Sequence, residues 1–286
     1  MERLMLRDAM ARIGELPTLP TVLNSILDAL AEPETSALDL GRLIAADQSL
    51  SATLLRQANS AYYGFYRTIG SVPNAVVVLG FREVQNLVLT ASVFRAFPSQ
   101  GSAYDRNQLW RHSLATAMLC ERLAKALRFS PDATFFSSGL LHDIGKVALD
   151  SIYPQAVVEI VARSRDERRP MREIEKEVFG LDHAEIGGVL AEHWNLPPAL
   201  AEAIRWHHDP ESSTSAQQLS RMVAAANHLS YLAGMGETEM GPGIEAPTAS
   251  LEQLGVTEAI TNAVVEEMRG GNARIDALLG AVAAEA

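Results

Sequence analysis

The most informative stretch of this sequence reads Ser138-Gly139-Leu140-Leu141-His142-Asp143-Ile144-Gly145-Lys146. Its apolar first half predicts a buried helix, and that helix runs directly into two adjacent ionisable side chains. A buried charge without a partner is costly, so His142 and Asp143 each need one. Imidazole with carboxylate is a good donor set for Zn, Mn, Fe or Ni, although a hydrogen-bonded His-Asp pair in the core would also satisfy both. We expect Gly145 to end the helix and to bring Lys146 back towards the pair.

Four other histidines occupy comparable positions, at helix ends or on apolar helix faces. His112 lies inside a predicted helix, and His183 opens the first turn of another. His207 and His208 precede Asp209-Pro210, which ends their helix. Adjacent helical residues diverge by about 100°, so both can reach one centre only where the helix ends. We therefore predict a metal centre inside a helical bundle, holding one or two divalent transition-metal ions (Fe, Mn, Zn or Ni) through His112, His142, Asp143, His183, His207 and His208.

The rest of the chain predicts helices almost throughout. Apolar residues recur at steps of three and four, as in Leu40, Leu43 and Ile44, whereas alternation with period two is rare. Helix starts carry capping signals at Ser36 with Asp39, at Asp132, and at Asp182 with Glu185. We predict an all-α, multi-helix bundle in three segments: an N-terminal helical half (residues 1–100), a half that carries the histidines (101–235), and a linker with C-terminal helices (236–286).

Composition excludes several classes of protein. Hydrophobic residues make up 48 % and charged residues 21 % of the chain, which is too apolar for a disordered protein and enough to bury a core. The net charge of −11 argues against broad nucleic-acid binding. Cys120 is the single cysteine, which excludes an internal disulfide and suits a reducing compartment, so we expect a cytoplasmic protein. The start of the chain lacks the apolar stretch of a signal peptide, and no window of about 18 apolar residues occurs, so we expect no membrane span.

Two groups of motifs carry a resemblance to a known family. The first lies in the N-terminal half and reads Ile44-Ala45-Ala46-Asp47-Gln48-Ser49-Leu50-Ser51, then Leu54-Leu55-Arg56-Gln57-Ala58-Asn59-Ser60-Ala61-Tyr62-Tyr63-Gly64, then Ile69-Gly70-Ser71-Val72. The second consists of His112, Gly139-Leu140-Leu141-His142-Asp143-Ile144-Gly145-Lys146, His183-Ala184-Glu185-Ile186-Gly187-Gly188 and His207-His208. From about Leu16 to about Leu232, the chain resembles the HDOD branch of the HD superfamily of metal-dependent phosphohydrolases.

The resemblance implies a regulatory protein that keeps its metal centre. HDOD domains are commonly HD domains that have lost metal ligands and activity, whereas this sequence matches catalytic HD-GYP relatives at the six predicted ligands and at Lys146. It departs where the late aspartate of the HD set would fall, because Asn227 stands there, and an amide is a poorer, uncharged ligand. The Gly-Tyr-Pro loop of cyclic-di-GMP hydrolases is also missing, since residues 209–213 read Asp-Pro-Glu-Ser-Ser. The resemblance therefore argues against cyclic-di-GMP hydrolysis.

Three functions fit this pattern. The first is a signalling module that acts through a protein partner, such as a kinase, a cyclase or a regulator of motility, with a homodimer as a further option. The second is a metal-dependent phosphohydrolase for a nucleotide or other phosphate ester, with Asp143 as the central catalytic carboxylate and Lys146 holding phosphate. The third is an iron-based redox or oxygen sensor. The aromatic cluster Tyr62-Tyr63-Gly64-Phe65-Tyr66 is either a partner contact or part of the core, and we favour the core.

Overall fold

The computed structural model describes residues 12–19, 23, 25, 26, 28, 29, 32, 34–97, 102, 105–130, 132–235, 246–270 and 272–283. All regular structure in these ranges is helical, which confirms the all-α prediction. In chain order the α-helices are α1 (Ala37–Ala45), α2 (Gln48–Ala58), α3 (Val72–Leu79), α4 (Phe81–Ala96), α5 (Arg106–Ala126), α6 (Ala133–Leu141), α7 (Ile144–Ile152), α8 (Pro154–Glu167), α9 (Met171–Phe179), α10 (His183–His193), α11 (Pro198–Arg205), α12 (Gln217–Leu232), α13 (Thr248–Leu254), α14 (Glu258–Gly270) and α15 (Asn272–Ala283).

The chain divides into two compact units. The large unit comprises Met1–Leu16 and Ser99–Gly270, and the small unit comprises Pro17–Pro98 and Gly271–Ala286. The three predicted segments, residues 1–100, 101–235 and 236–286, stay predictions, and residues 236–245 of the predicted linker lie outside the described residues. No described helix is long and apolar enough to cross a membrane alone. The pair α3 and α4 together reaches that length and hydropathy, with a bend of 114° between the two helices.

The predicted caps are present at the starts of α1, α6 and α10. At α10 the carboxylate of Asp182 accepts a hydrogen bond from the backbone N–H of Glu185, at 3.0 Å. The Glu185 carboxylate in turn accepts from the backbone N–H of Asp182, at 3.1 Å. These reciprocal bonds satisfy two N–H groups that the helix itself leaves unpaired. His183 follows Asp182 directly, so the capping box fixes the backbone of a predicted ligand.

Two glycines let the helices around the histidines approach backbone to backbone. At Gly139 on α6, a Cβ would lie 2.6 Å from the Cα of Ala117 on α5. At Gly145 on α7, a Cβ would lie 1.8 Å from the carbonyl oxygen of His183 on α10. No other residue type allows such contacts without displacing a helix. The glycines therefore bring together helices that carry or adjoin predicted ligands.

The prediction that Gly145 ends a helix is wrong. The predicted buried helix is α6, which ends at Leu141, before His142 and Asp143. The next helix, α7, begins at Ile144. Gly145 therefore lies inside α7, where its function is the close approach to α10. Local rules associate glycine with the residue that follows a helix, whereas here tertiary packing requires it in the first turn of one. Lys146 still turns back to Asp143, since it lies one helical turn further on.

In the small unit, polar contacts tie α15 to α4. The guanidinium of Arg274 donates to one oxygen of Glu83 at 2.6 Å, and the hydroxyl of Tyr63 donates to the other at 2.6 Å. The prediction that the aromatic cluster belongs to the core is wrong, because three of its members are exposed: Tyr62, Phe65 and Tyr66. The cluster lies in the irregular segment between α2 and α3, where no helix face turns these rings inwards.

Candidate metal centre

The six predicted ligands meet inside the large unit. They come from α5, from the turn between α6 and α7, from the start of α10 and from the turn after α11. They form two groups, in each of which the ligand atoms lie within 4.8 Å of one another. We call them the Asp143 group (His112, His142 and Asp143) and the His208 group (His183, His207 and His208). His208 is partly exposed, and the other five are at most 3 % exposed.

The carboxylate of Asp143 belongs to one group and also faces two histidines of the other. Its Oδ2 lies 3.2 Å from His142 Nε2 and 3.6 Å from His112 Nε2. Its Oδ1 lies 3.2 Å from Nε2 of His183 and 3.8 Å from Nε2 of His207. One buried carboxylate thus faces four imidazole nitrogens, and the ammonium of a lysine joins them, since the Nζ to Oδ2 distance is 2.7 Å for Lys146.

Three imidazoles are held by the backbone through their other ring nitrogen. Each Nδ1 lies at hydrogen-bond distance from a carbonyl oxygen, in the pairs His142–Gly139 (2.8 Å), His207–Ile204 (2.7 Å) and His112–Met235 (3.2 Å). A carbonyl only accepts, so Nδ1 carries the proton and Nε2 keeps its lone pair. The Nε2 atoms of these three histidines are buried and have no hydrogen-bond partner among the described residues.

His183 is held differently, by a buried carboxylate. Glu175 on α9 is fully buried, and its Oε2 accepts from Nδ1 of His183 at 2.6 Å and from the His183 backbone N–H at 2.8 Å. The opposite nitrogen, Nε2, lies 2.9 Å from Nε2 of His208. A carboxylate behind a ligating imidazole fixes the ring and raises its basicity, which is a common outer-shell arrangement at metal sites.

Burial keeps two of the imidazoles neutral. Burial, followed by the charge of His142, lowers the pKa of His112 to about 3. The same causes lower the pKa of His207 to about 3. Both rings are therefore neutral at physiological pH, which is the form that binds a metal ion.

The pKa values of His183 and Asp143 move towards the charged forms. Burial lowers the pKa of His183, but Glu175 and the hydrogen bond to Asp143 outweigh burial and raise it to about 10. Burial opposes ionisation of Asp143, but the charges of His142 and Lys146 hold its pKa well below the usual range. In the metal-free protein the centre thus contains the ionised carboxylate of Asp143 and the protonated imidazole of His183.

These residues fit a divalent transition-metal ion. Ligand nitrogens about 2.1 Å from an ion and at right angles to one another lie about 3.0 Å apart. The donor atoms are separated by 2.9 Å for His183 and His208, and by 3.2 to 3.8 Å for the imidazoles around Asp143. Buried lone pairs without partners are costly, and a cation between them removes that cost. Imidazole and carboxylate donors suit Zn, Mn, Fe or Ni.

Asn227 contributes an uncharged oxygen to the same region. It is 2 % exposed on α12, and its Oδ1 has no hydrogen-bond partner in the described part of the chain. One turn later on the same helix, the hydroxyl of Ser230 lies 3.1 Å from Nδ1 of His112. Residues three apart share a helix face, so Asn227 lies on the face of α12 that meets the Asp143 group.

The buried carboxylate behind His183 was missed from the sequence, although a signal for it exists. Met171, Ile174 and Val178 form an apolar stripe on α9, and Glu175 lies within that stripe. A carboxylate at such a position needs a partner, so it marks a structural or functional contact. His193, which the sequence did not single out as a ligand, is exposed.

The fold and the site together define a class of protein, the helical domains of the HD superfamily, in which buried His and Asp side chains converge from separate helices. Within that class, the model of the HDOD domain family matches residues 16–210, more than half of the chain. The chain belongs to the HDOD domain family.

The chain is also similar to individual proteins and solved structures. An uncharacterized protein from Treponema pallidum is 32 % identical over 218 residues, which are 76 % of this chain and 42 % of that protein. The chain spans less than half the length of the curated relatives that it matches. A proposed phosphohydrolase from Shewanella amazonensis SB2B is 26 % identical, with a TM-score of 0.74 over 96 % of this chain and 97 % of that one. An HDOD domain protein of unknown function from Geobacter sulfurreducens is 24 % identical, with a TM-score of 0.78 at the same coverage, and shares the fold.

Proposed function

We propose that this chain is an HDOD-type regulatory module that holds a divalent transition-metal ion and acts through a signalling protein partner. One observation carries the proposal: four imidazoles use Nδ1 to contact the protein and direct Nε2 towards the same buried carboxylate. Buried polar atoms in proteins are nearly always paired. Three of these Nε2 atoms have no hydrogen-bond partner among the described residues, which is the condition of a ligand set.

The two groups would hold one ion each, or share one ion through Asp143. When bound, the ion supplies Lewis acidity and lowers the pKa of a coordinated water. Asn227 supplies no charge where the HD superfamily has an aspartate, so the ion at the Asp143 group is held more weakly. A site whose occupancy follows the metal supply suits regulation better than constant turnover. The exposed rings of Tyr62, Phe65 and Tyr66 offer an apolar contact for a partner protein.

Elemental analysis of protein purified without chelator tests the proposal. We expect about one or two transition-metal ions per chain. With two ions, His112→Ala and His208→Ala each remove a different one, and with one ion both variants lose it. The variant His193→Ala changes an exposed histidine and keeps the wild-type metal content. Wild-type protein without a bound transition metal would sink the proposal.

A metal-dependent phosphohydrolase acting on a nucleotide or other phosphate ester is the second candidate. The observation that favours it is the buried ammonium of Lys146, 2.7 Å from the carboxylate that adjoins both groups. The 26 % identical Shewanella protein carries a phosphohydrolase name. Phosphate release from a panel of esters by metal-loaded protein, abolished by Asp143→Ala, would favour this function over the regulatory one. Bound iron with an absorption band that responds to dioxygen would instead favour a sensor.

A further inference from the structure

One loop of the small unit presents aromatic rings to solvent. This aromatic loop comprises residues 60–68, between α2 and α3, and contains the aromatic cluster. Tyr62 is 46 % exposed, Phe65 is 44 % exposed, and Tyr66 is fully exposed. Single exposed apolar side chains are normal on a protein surface, whereas several in one short loop indicate an interaction site.

Asn59 holds the two ends of the aromatic loop together. Its side-chain amide donates to the carbonyl oxygen of Ile69 at 2.9 Å, and its Oδ1 accepts from the backbone N–H of Ile69 at 2.8 Å. The same amide donates to the carbonyl oxygen of Leu55 on α2 at 2.8 Å. Short surface loops with joined ends are frequently functional, and a loop that is already ordered loses less entropy on binding. The loop is therefore organised before any partner binds.

Tyr63 attaches the middle of the loop to α4. Its hydroxyl donates to Glu83, and Arg274 neutralises the charge of that carboxylate. The ring of Tyr63 also meets two of the exposed rings, with centroids 4.9 Å from Tyr62, edge to face, and 6.2 Å from Phe65, stacked. Aromatic pairs favour these two arrangements, so Tyr63 fixes the orientation of rings that remain open to solvent.

The charge around the loop is positive, in a chain that carries −11 overall. Between Asp47 and Glu83 the sequence has no acidic residue, but it has three arginines, Arg56, Arg67 and Arg82. Arg67 and Arg82 are exposed and form no ion pair with a described residue. Tyr, Phe and Arg are the residues that protein interfaces favour, so the loop and its two free arginines suit a partner protein with negative charge.

The number of cations separates a protein partner from other anionic surfaces. Recognition of anionic lipids by a polybasic segment uses about four to eight Lys and Arg residues, whereas residues 48–82 contain no lysine. Nucleic acid is repelled by the net charge of the chain and is held through many phosphate contacts. Two exposed guanidinium groups instead match a few carboxylates, each of which accepts two hydrogen bonds from the planar fork.

We propose that the aromatic loop, with Arg67 and Arg82, is the docking surface for an acidic segment of a partner protein. That segment carries carboxylates next to aromatic or aliphatic side chains, which pack on the exposed rings. The inference rests on the proposed function, because that function requires a protein partner. It goes further by naming the surface and the chemistry of the segment that the surface recognises.

Titration with a random copolymer of glutamate and tyrosine, followed by calorimetry, tests the docking surface. The wild type should bind this probe, and Tyr66→Ala should weaken binding about tenfold or more, since aromatic anchors carry most of the binding energy at interfaces. Arg67→Gln should weaken binding about twofold to fivefold and reduce its dependence on salt concentration. Asn59→Ala keeps every side chain of the surface and should also weaken binding, because the released loop has to be ordered by the partner.

The controls change exposed side chains of the large unit. Lys125→Gln removes a positive charge and Val158→Ala removes apolar surface, and both variants should bind the copolymer as the wild type does. No binding by the wild type, or equal binding by the wild type and Tyr66→Ala, would overturn the docking surface. Polyglutamate that binds as tightly as the copolymer would overturn the role of the aromatic rings.

Two further measurements exclude other occupants. Binding to vesicles of phosphatidylcholine and phosphatidylserine in equal parts, if lost in Tyr66→Ala, would assign the loop to a membrane and overturn the proposal. Self-association of the wild type that is lost in Tyr66→Ala would assign it to a second copy of the chain. The metal content of the same samples is measured separately, so absence of metal removes the metal centre of the proposed function without deciding on the docking surface.

Discussion

The two halves of the metal centre are built by different means. In the Asp143 group, backbone carbonyls orient the imidazoles of His112 and His142, and the rings are closed off from solvent. In the His208 group, a backbone carbonyl also orients His207, but the side chain of Glu175 orients His183, and the group opens to solvent at His208. Backbone acceptors persist in any sequence that keeps the fold, whereas a carboxylate is lost by one substitution. The first group is therefore the fixed half, and the second is the half that evolution can adjust.

Substitution of Asp143, whose carboxylate faces both groups, should weaken metal binding at both groups. Asp143→Asn keeps the shape but removes the charge that faces four imidazoles, so we expect metal affinity to fall about a hundredfold or more at both. It also leaves the buried Lys146 ammonium without its ion pair, at a cost of about 3–5 kcal/mol in the free energy of unfolding. Competition with a chromophoric chelator and denaturant unfolding measure the two effects. Exposed Asp209→Asn is the control, and metal retention by Asp143→Asn would contradict a shared ligand.

Substitution of Glu175, which contacts His183, should weaken metal binding at the His208 group and leave the Asp143 group unchanged. Glu175→Gln keeps an acceptor at Oε1 but removes the charge, and loss of an outer-shell partner typically lowers metal affinity about tenfold to a hundredfold. We expect the loss only for the ion at the His208 group, as measured by the number and affinity of bound ions. Glu173→Gln, on the exposed side of the same helix, should have no effect. Equal losses at both groups would mean that the two share one ion.

The histidines of the centre should also differ in proton release on metal binding. The pKa of His183 is about 10, so this ring must lose a proton to bind an ion at neutral pH, whereas His112 and His207, with pKa values of about 3, lose none. We expect about one proton released per chain and an affinity that rises about tenfold per pH unit up to pH 10. Calorimetry in buffers of different ionisation enthalpy measures this number.

The same pKa predicts the pH dependence of the metal-free fold. The pKa of His183 in the folded state lies above its ordinary value of 6.5, so the folded state binds the proton more tightly. The resulting stability is complete below pH 6.5 and is lost as the pH rises through about 10. Glu175→Gln should reduce the change in the free energy of unfolding between pH 6.5 and pH 10, as measured by denaturant unfolding. The same pH dependence in the variant would show that another group titrates in this range.

The smallest expected effect concerns the fixed half. Asn227→Asp restores a carboxylate on the face of α12 that meets the Asp143 group, and added ligand charge tightens cation binding, here by about tenfold or less. Only the ion of that group should respond. Asn195→Asp, at an exposed asparagine, controls for net charge. Weaker binding in Asn227→Asp would show that the new carboxylate repels Asp143 instead of sharing an ion with it.

Much of the site was predictable because its chemistry is carried by residue types. Histidines at helix ends, beside a carboxylate in an apolar stretch, have few structural uses, and all six predicted ligands converge. Gly145 was misjudged because the rule for glycine at helix ends is local, whereas its contact with the His183 carbonyl is tertiary. The aromatic cluster was misjudged for a related reason, since composition alone does not tell which rings of an irregular segment face the core.

By itself, the sequence determined the helical class, the helix caps and the side chains that meet at the centre, because these follow from residue type and short-range spacing. The tertiary structure alone decided which nitrogen of four imidazoles faces Asp143 and which carboxylate stands behind His183. These features depend on contacts between residues far apart in the chain. Local patterns do not encode such distances, since they arise only when whole helices pack against one another.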